Sequence, residues 1–364
     1  MKPKSNPKPM LTSIFSLLIA LSWAPAVLAQ VAIPAPPPID AESYILVDFH
    51  SQQVIASDRP NTQVEPASIT KLMTSYVAFN EIERGNISLD DEVLISERAW
   101  RTPGSRMFVE VNTRVDVASL LKGIIIQSGN DASVAIAEYV AGTEEAFALL
   151  MNEYAKVLGM NDTFYVNATG LPDPNQLTTA HDSALLARAI IDRFPQFYDW
   201  YSQREFTYGG IRQHNRNRLL WRDPSVDGLK TGHTDSAGYC LVTSASRNDM
   251  RLISVVMGSS SEESRATSSQ SLLNYGFRFY ETYSLYTPQD TVATAQVWEG
   301  LVDEVPLKVS QPIFVTVPRG RFDDLANELA LEGNLTAPLS ADQAVGIVRV
   351  SLDGKVLAQQ DVIT

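Results

Sequence analysis

Strand-like segments stand at both ends of a long helical middle, and that order constrains the fold more than any other feature of the chain. "SYILVDFHSQQVIASDRP" is two strand-like runs joined around residues 51 and 52, which reads as a hairpin. Far downstream, "GYCLVTSASRNDMRLISVVMG" is two apolar runs separated by Arg-Asn-Asp, a second hairpin signal. Between them the spacing predicts a helix from about Ser68 to Arg84, stopping at Gly85. A helix, an interruption at "QSGND" and another helix follow over 120–140, and then "TTAHDSALLARAIIDRF", with Thr178 or Thr179 as its N-cap. "SLLNYGFRFYETY" also reads as helical. Strands first, helices next and strands again bring distant segments into one sheet, an α+β plan with helices packed on an antiparallel sheet. After about Tyr286 the texture becomes strand-like throughout, with an Asp-Gly turn at Asp353 and Gly354. Residues 41–285 therefore read as one domain and 286–364 as a second, small and mostly β.

The first 29 residues read as a secretory signal peptide: Lys2, Lys4 and Lys8, a short apolar run broken at Pro25, then Val27 and Ala29 before a cleavage point. A proline-rich lead-in, 30–40, follows. The segment implies export, with a periplasmic protein, free or peripheral at the outer face of the inner membrane, as the expectation. Loss of the signal would take the net charge from −13 to −16, which argues against nucleic acid or anionic lipid as a global partner. An anionic substrate would need a local cluster of cations. The single cysteine, Cys240, forms no intrachain disulfide and sits in an apolar alternating run as a small core residue. His50, His181, His214 and His233 show no metal-ligand spacing, so no metal and no cofactor are expected.

Three short patterns carry chemistry. Ser-x-x-Lys occurs three times, at Ser5/Lys8, Ser68/Lys71 and Ser119/Lys122, and on the order of one is expected by chance. The first lies in the signal. The last sits beside Gly123 without a cap or proline framing, and reads as a partly exposed helix pair. Ser68 follows Pro66 at the start of a helix whose Ile69, Leu72, Met73 and Tyr76 make one apolar side. Residues three apart share a helix face, so the Lys71 amine reaches the Ser68 hydroxyl. Lys71 is a base only when neutral, which burial or a second nearby cation favours. The second pattern is Ser128-Gly129-Asn130 between two apolar helices. Gly129 permits a tight turn that points a hydroxyl and an amide into a cleft, although Asn130 or Asp131 could simply cap the next helix. The third is Lys230-Thr231-Gly232 before the "GYCLVTSAS" strand, where Gly232 lets a ligand approach the strand edge closely. Singly, each is as compatible with structure as with function. Their order, Ser-x-x-Lys, Ser-x-Asn 60 residues later and Lys-Thr-Gly 102 residues after that, is the set of the penicillin-binding proteins and serine β-lactamases.

With "EPASITKLMTSYV", "LLKGIIIQSGNDASVAIAE", "HNRNRLLW" and "VDGLKTGHTDSAGY", the chain from about Ala41 onward resembles the low-molecular-mass penicillin-binding proteins that act as D-alanyl-D-alanine carboxypeptidases. The resemblance implies a β-lactamase-like domain followed by a small β-rich domain. It implies that Ser68 is acylated by a peptidoglycan stem peptide, with Lys71 as proton acceptor and Ser128 as proton relay to the departing D-alanine. Asn130, Lys230 and Thr231 would hold substrate, Ser68 and His233 backbone N–H groups would form the oxyanion hole, and Arg216 and Arg265 would face the terminal carboxylate. β-Lactams would be covalent inhibitors. Family members usually end in an amphipathic membrane-binding helix. The sequence stops at "AQQDVIT" without one, which leaves membrane attachment open. A class A β-lactamase would carry a Glu-x-x-Leu-Asn element, absent from 131–229. A D,D-endopeptidase and a catalytically silent wall-binding module remain as alternatives at this level.

Overall fold

The computed structural model describes residues 33–364. The expectation of a signal peptide over 1–29, and with it Ser5/Lys8, falls outside the described residues. Within the rest, the two hairpins read from sequence do share one sheet. Its five strands run in the order Val54–Asp58, Ser43–Asp48, Met250–Ser259, Gly238–Arg247, Val226–Thr234, and every pairing is antiparallel. The downstream hairpin turns at Asn248 and Asp249, whose φ values of 49° and 62° are the left-handed pair that a tight two-residue turn requires.

Both faces of that sheet are covered, as period-2 alternation in the Met250–Ser259 strand requires. Ile253, Val255 and Met257 join the large core built with the helices. Leu252 points the other way, toward Gly276 of the Glu262–Phe279 helix. The large core contains the Thr70–Glu83 helix, from which every residue between Thr70 and Asn80 is buried. The one-sided apolar stripe expected there is thus an underestimate, because the helix is enclosed all round. Two of its buried polar side chains donate to carbonyls, Thr74 to Ala168 at 2.7 Å and Asn80 to Tyr76 at 2.8 Å, whereas Ser75 Oγ is buried without a hydrogen-bond partner among the described residues. Thr179 caps the Ala180–Arg193 helix by accepting from the Asp182 N–H. The Val117–Lys122 helix does have a cap, contrary to the reading of Ser119/Lys122, since Asp116 accepts from the Ser119 N–H at 2.7 Å. Both residues remain partly buried, and the Lys122 ammonium sits 5.3 Å from the Trp200 ring centre.

The helix read into "SLLNYGFRFYETY" ends at Phe279, and Tyr280–Tyr286 is a strand. Its aromatic and β-branched residues pair with Ile313–Pro318, a tertiary contact that overrides local helical pattern. Beyond it lies a β-rich unit with its own core of Leu307, Val309, Val315, Val348, Val350 and Val362. Asp353 and Gly354 make the turn between Ala344–Leu352 and Lys355–Ile363, as the sequence indicates. A polar seam ties this unit to the first hairpin. Buried Asp48 accepts from the Thr282 hydroxyl at 2.6 Å and from the Ser51 N–H at 2.7 Å, Ser51 and Thr316 hydroxyls share a hydrogen bond, and His50 stacks on Phe314.

Candidate active site

The three patterns converge on one cleft of about 290 Å³, lined among others by Ser68, Ser128, Asn130, Arg216, Thr231, Gly232, His233 and Arg265. Ser68 stands in a single 3₁₀ turn, Ala67–Ile69, that leads into the buried helix. The preceding Ala67 has φ +45°, a left-handed conformation costly for a residue with a Cβ. Its carbonyl lies where a side chain on Gly170 would be, so that glycine is obligatory. Gly232 has a similar reason for being a glycine: a Cβ there would lie 3.1 Å from the Pro66 carbonyl and 3.2 Å from Ala67 Cβ. The sequence suggested that Gly232 makes room for a ligand. The structure shows that it also makes room for the turn carrying Ser68, and Gly232 itself lines the cleft.

Lys71 is 1% exposed, and its Nζ donates to Ser68 Oγ at 3.1 Å, to Asn130 Oδ1 at 2.7 Å and to the Thr169 carbonyl. Burial is the main force on its ionisation, with the Arg216 guanidinium adding to it. Together they pull Lys71 from the ordinary 10.5 down to about 7, against the opposing pull of Asp131 and Glu144. Of its three partners, Asn130 and Thr169 offer only acceptors. A neutral amine can donate its two N–H bonds to those and direct its lone pair at the one partner that carries a proton, the Ser68 hydroxyl.

Ser128 follows the Gly123–Gln127 π-turn with φ +66°, and the Asn130–Ala141 helix begins two residues later. The left-handed residue in this bend is therefore Ser128 and not Gly129, which sits at φ −60°. Gly129 is small for another reason: a Cβ would lie 2.9 Å from Asp131 Oδ1 and 3.1 Å from the Met107 nitrogen. Neither Asn130 nor Asp131 caps the helix, whose N-cap is Gly129. Asn130 bridges Lys71 and the Pro103 carbonyl, the latter at 2.6 Å. Asp131 accepts from the backbone N–H groups of Met107 and Phe108 at 2.8 Å and of Val109 at 3.3 Å, holding the loop that forms one cleft wall.

Lys230 lies on the Val226–Thr234 edge strand, 3% exposed, and donates to Ser128 Oγ at 3.0 Å and to the Thr231 carbonyl at 2.9 Å. Burial first, then Lys71, Arg216 and Arg265, hold its ammonium well below its usual range. Arg265 is buried and donates to the Gly232 carbonyl at 3.0 Å, whereas Arg216 is exposed at the cleft mouth. His233 is exposed and stacks on Tyr239 with ring centres 4.0 Å apart. Cys240 is a fully buried core thiol, pushed up to about 11 chiefly by burial.

The loop carrying Thr169, Gly170 and Leu171 also lines the cleft and went unread in the sequence. Asn167 builds it by accepting from the N–H groups of Thr169 and Gly170. Its Asn-x-x-Gly spacing is the signal that could have marked it.

The D-alanyl-D-alanine carboxypeptidase family model matches residues 30–261, and that of the penicillin-binding protein 5 C-terminal domain matches 280–364. The chain belongs to the D-alanyl-D-alanine carboxypeptidase family. Among relatives, it is 44% identical over 349 residues to D-alanyl-D-alanine carboxypeptidase DacC of Escherichia coli (strain K12), covering 94% of this chain and 87% of that one. Penicillin-binding protein 5 from Haemophilus influenzae superposes with a TM-score of 0.87 at 40% identity, over 91% of this chain and 98% of its own. Penicillin-binding protein D2 from Listeria monocytogenes in its ampicillin-bound form matches at 0.62 and 26%, over 67% and 100%. These likenesses agree with an N-terminal catalytic domain of the family followed by its C-terminal β domain.

Proposed function

We propose that this protein is a serine-type D-alanyl-D-alanine carboxypeptidase that removes the terminal D-alanine of peptidoglycan stem pentapeptides. Neutral Lys71 takes the Ser68 hydroxyl proton as Oγ attacks the carbonyl carbon of the penultimate D-alanine. The resulting oxyanion is held by the Ser68 and His233 backbone N–H groups. As the tetrahedral species collapses, Lys71 gives up the proton it took and Ser128 relays it to the nitrogen of the departing D-alanine, which leaves Lys71 neutral, Ser128 a hydroxyl and the acyl chain esterified on Ser68. Lys230 donates a hydrogen bond to Ser128 in the relay and Thr231 one to the substrate, while Arg216 and Arg265 face the terminal carboxylate. Asn130 and the Thr169 carbonyl act on Lys71 as positioning groups. Water then attacks the ester, Lys71 accepts its proton, and the shortened peptide leaves as a carboxylic acid. β-Lactams acylate the same hydroxyl, in keeping with the ampicillin-bound Listeria relative. With its basic, apolar N-terminal segment, the protein is exported and works in the periplasm.

The observation that carries this reading is the buried Lys71 amine, brought to about 7 and set 3.1 Å from Ser68 Oγ. Labelled penicillin and a D-Ala-D-Ala pentapeptide test it. The expected result is one adduct, mapped by mass spectrometry to Ser68 and lost in Ser68→Ala, with steady release of free D-alanine. A label on any other residue contradicts the assignment. Cleavage of a cross-linked dimer in preference to the pentapeptide would favour the endopeptidase.

A further inference from the structure

Beside the catalytic cleft lies a second groove of about 540 Å³, lined by Trp100, Arg106, Phe108, Glu110, Tyr208 and Ile211 among others. Three of its apolar residues are well exposed, Trp100 at 37%, Phe108 at 49% and Ile211 at 43%. Among the described residues the Arg106 side chain makes no ion pair, and its Nε is buried without a hydrogen-bond partner. A buried guanidinium donor left unpaired is costly, and in an acidic chain carboxylate partners are plentiful. Glu110 lines the same groove yet is exposed and forms no bridge to Arg106.

Both walls of the groove lead along the chain to residues of the cleft. On one wall, Gly104 and Ser105 line the cleft and the next residue, Arg106, lines the groove. On the other, the Ile211–His214 strand begins in the groove and leads to Arg216 at the cleft. Gln213 locks the two walls, its amide donating to the Arg106 carbonyl at 3.0 Å. A substrate ending in D-Ala-D-Ala stops at its terminal carboxylate, so only its upstream residues can extend beyond the cleft. We infer that this groove is a subsite for the peptide upstream of the scissile bond, where Arg106 binds a carboxylate carried by that peptide and Trp100, Phe108 and Ile211 pack on its apolar stems. The inference rests on the carboxypeptidase reading above and adds to it a preference for carboxylate-bearing peptides.

Two peptides test it on the full chain: a doubly acylated Lys-D-Ala-D-Ala with no upstream carboxylate, and a pentapeptide with a free carboxylate just upstream. Arg106→Gln is expected to lower the ratio of kcat/KM for the second over the first about tenfold, the scale of one lost charge-assisted hydrogen bond. Glu110→Gln, by removing a like charge, is expected to raise that ratio. An unchanged ratio in Arg106→Gln, or an equal fall for both peptides, overturns the subsite. A calorimetric titration of Ser68→Ala protein with a carboxylated peptide lacking D-Ala-D-Ala decides the groove without turnover: weaker binding on adding Arg106→Gln supports it, and unchanged binding overturns it. Failure of the wild type to release D-alanine from either peptide would instead sink the carboxypeptidase reading.

Discussion

The pH at which Ser68 becomes acylable follows from the surroundings of Lys71. A drop from 10.5 to about 7 is some three and a half decades in the population of neutral amine at low pH, on the order of 5 kcal/mol against the ammonium form. With an ordinary lysine, about one molecule in three thousand would hold a working base at pH 7; here about half do. The second-order rate of acylation by a fluorescent penicillin, measured from pH 5 to 9, should therefore climb about tenfold per pH unit at the acid end and level off above about 7. The sign is fixed by which form works: the deprotonated amine accepts the proton, so activity is lost as pH falls. Arg216 is the largest charged contributor to the depression. Arg216→Gln should move the inflection up by about one unit, the low end of what a neighbouring like charge does. The inflection is the quantity to read, because loss of Arg216 also weakens the hold on a substrate carboxylate. A profile flat from pH 5 to 8, one that falls with rising pH, or an inflection unmoved in Arg216→Gln would refute the reasoning.

Ser128→Gly removes the hydroxyl while relieving a left-handed φ of +66°, so it should raise the melting temperature slightly yet cut acylation by about 10²-fold or more, readable by calorimetry and labelled penicillin together. Asp131→Ala strands the N–H groups of Met107, Phe108 and Val109, and should destabilise the fold by about 3 kcal/mol in a denaturant titration.

Helix and turn boundaries were legible where a side chain announces them. Thr179 as N-cap, the Asn248–Asp249 turn and the Asp353–Gly354 turn all belong to this class. So did the association of Ser68 with Lys71, since helical spacing alone brings them together. What stayed hidden depends on main-chain atoms from remote segments. Thr169 acts on Lys71 through its carbonyl, which any residue type supplies, and Gly170 is small only because the Ala67 carbonyl comes near. Gly129 and Gly232 were marked as constrained, but the nearness of Asp131 and Met107 to the first and of Pro66 and Ala67 to the second went unseen, because a sequence shows that space is needed without showing what fills it. The strand at Tyr280–Tyr286 was misjudged because the pattern there suits both helix and strand, and its partner, Ile313–Pro318, is well separated along the chain.

The seam at Asp48 has a bearing on how heat or tension would act on the molecule. One carboxylate, sealed from water, draws its ligands from the hairpin turn on one side and from the distal sheet on the other. Prising the two sheets apart would cost that carboxylate its Thr282 partner, so the distal sheet is fastened at a point, like a bracket bolted to a beam, and does not trail as a pendant. A push on the outer end of the bracket is thus delivered to the first hairpin of the central sheet, on the side away from the strand that carries Lys230.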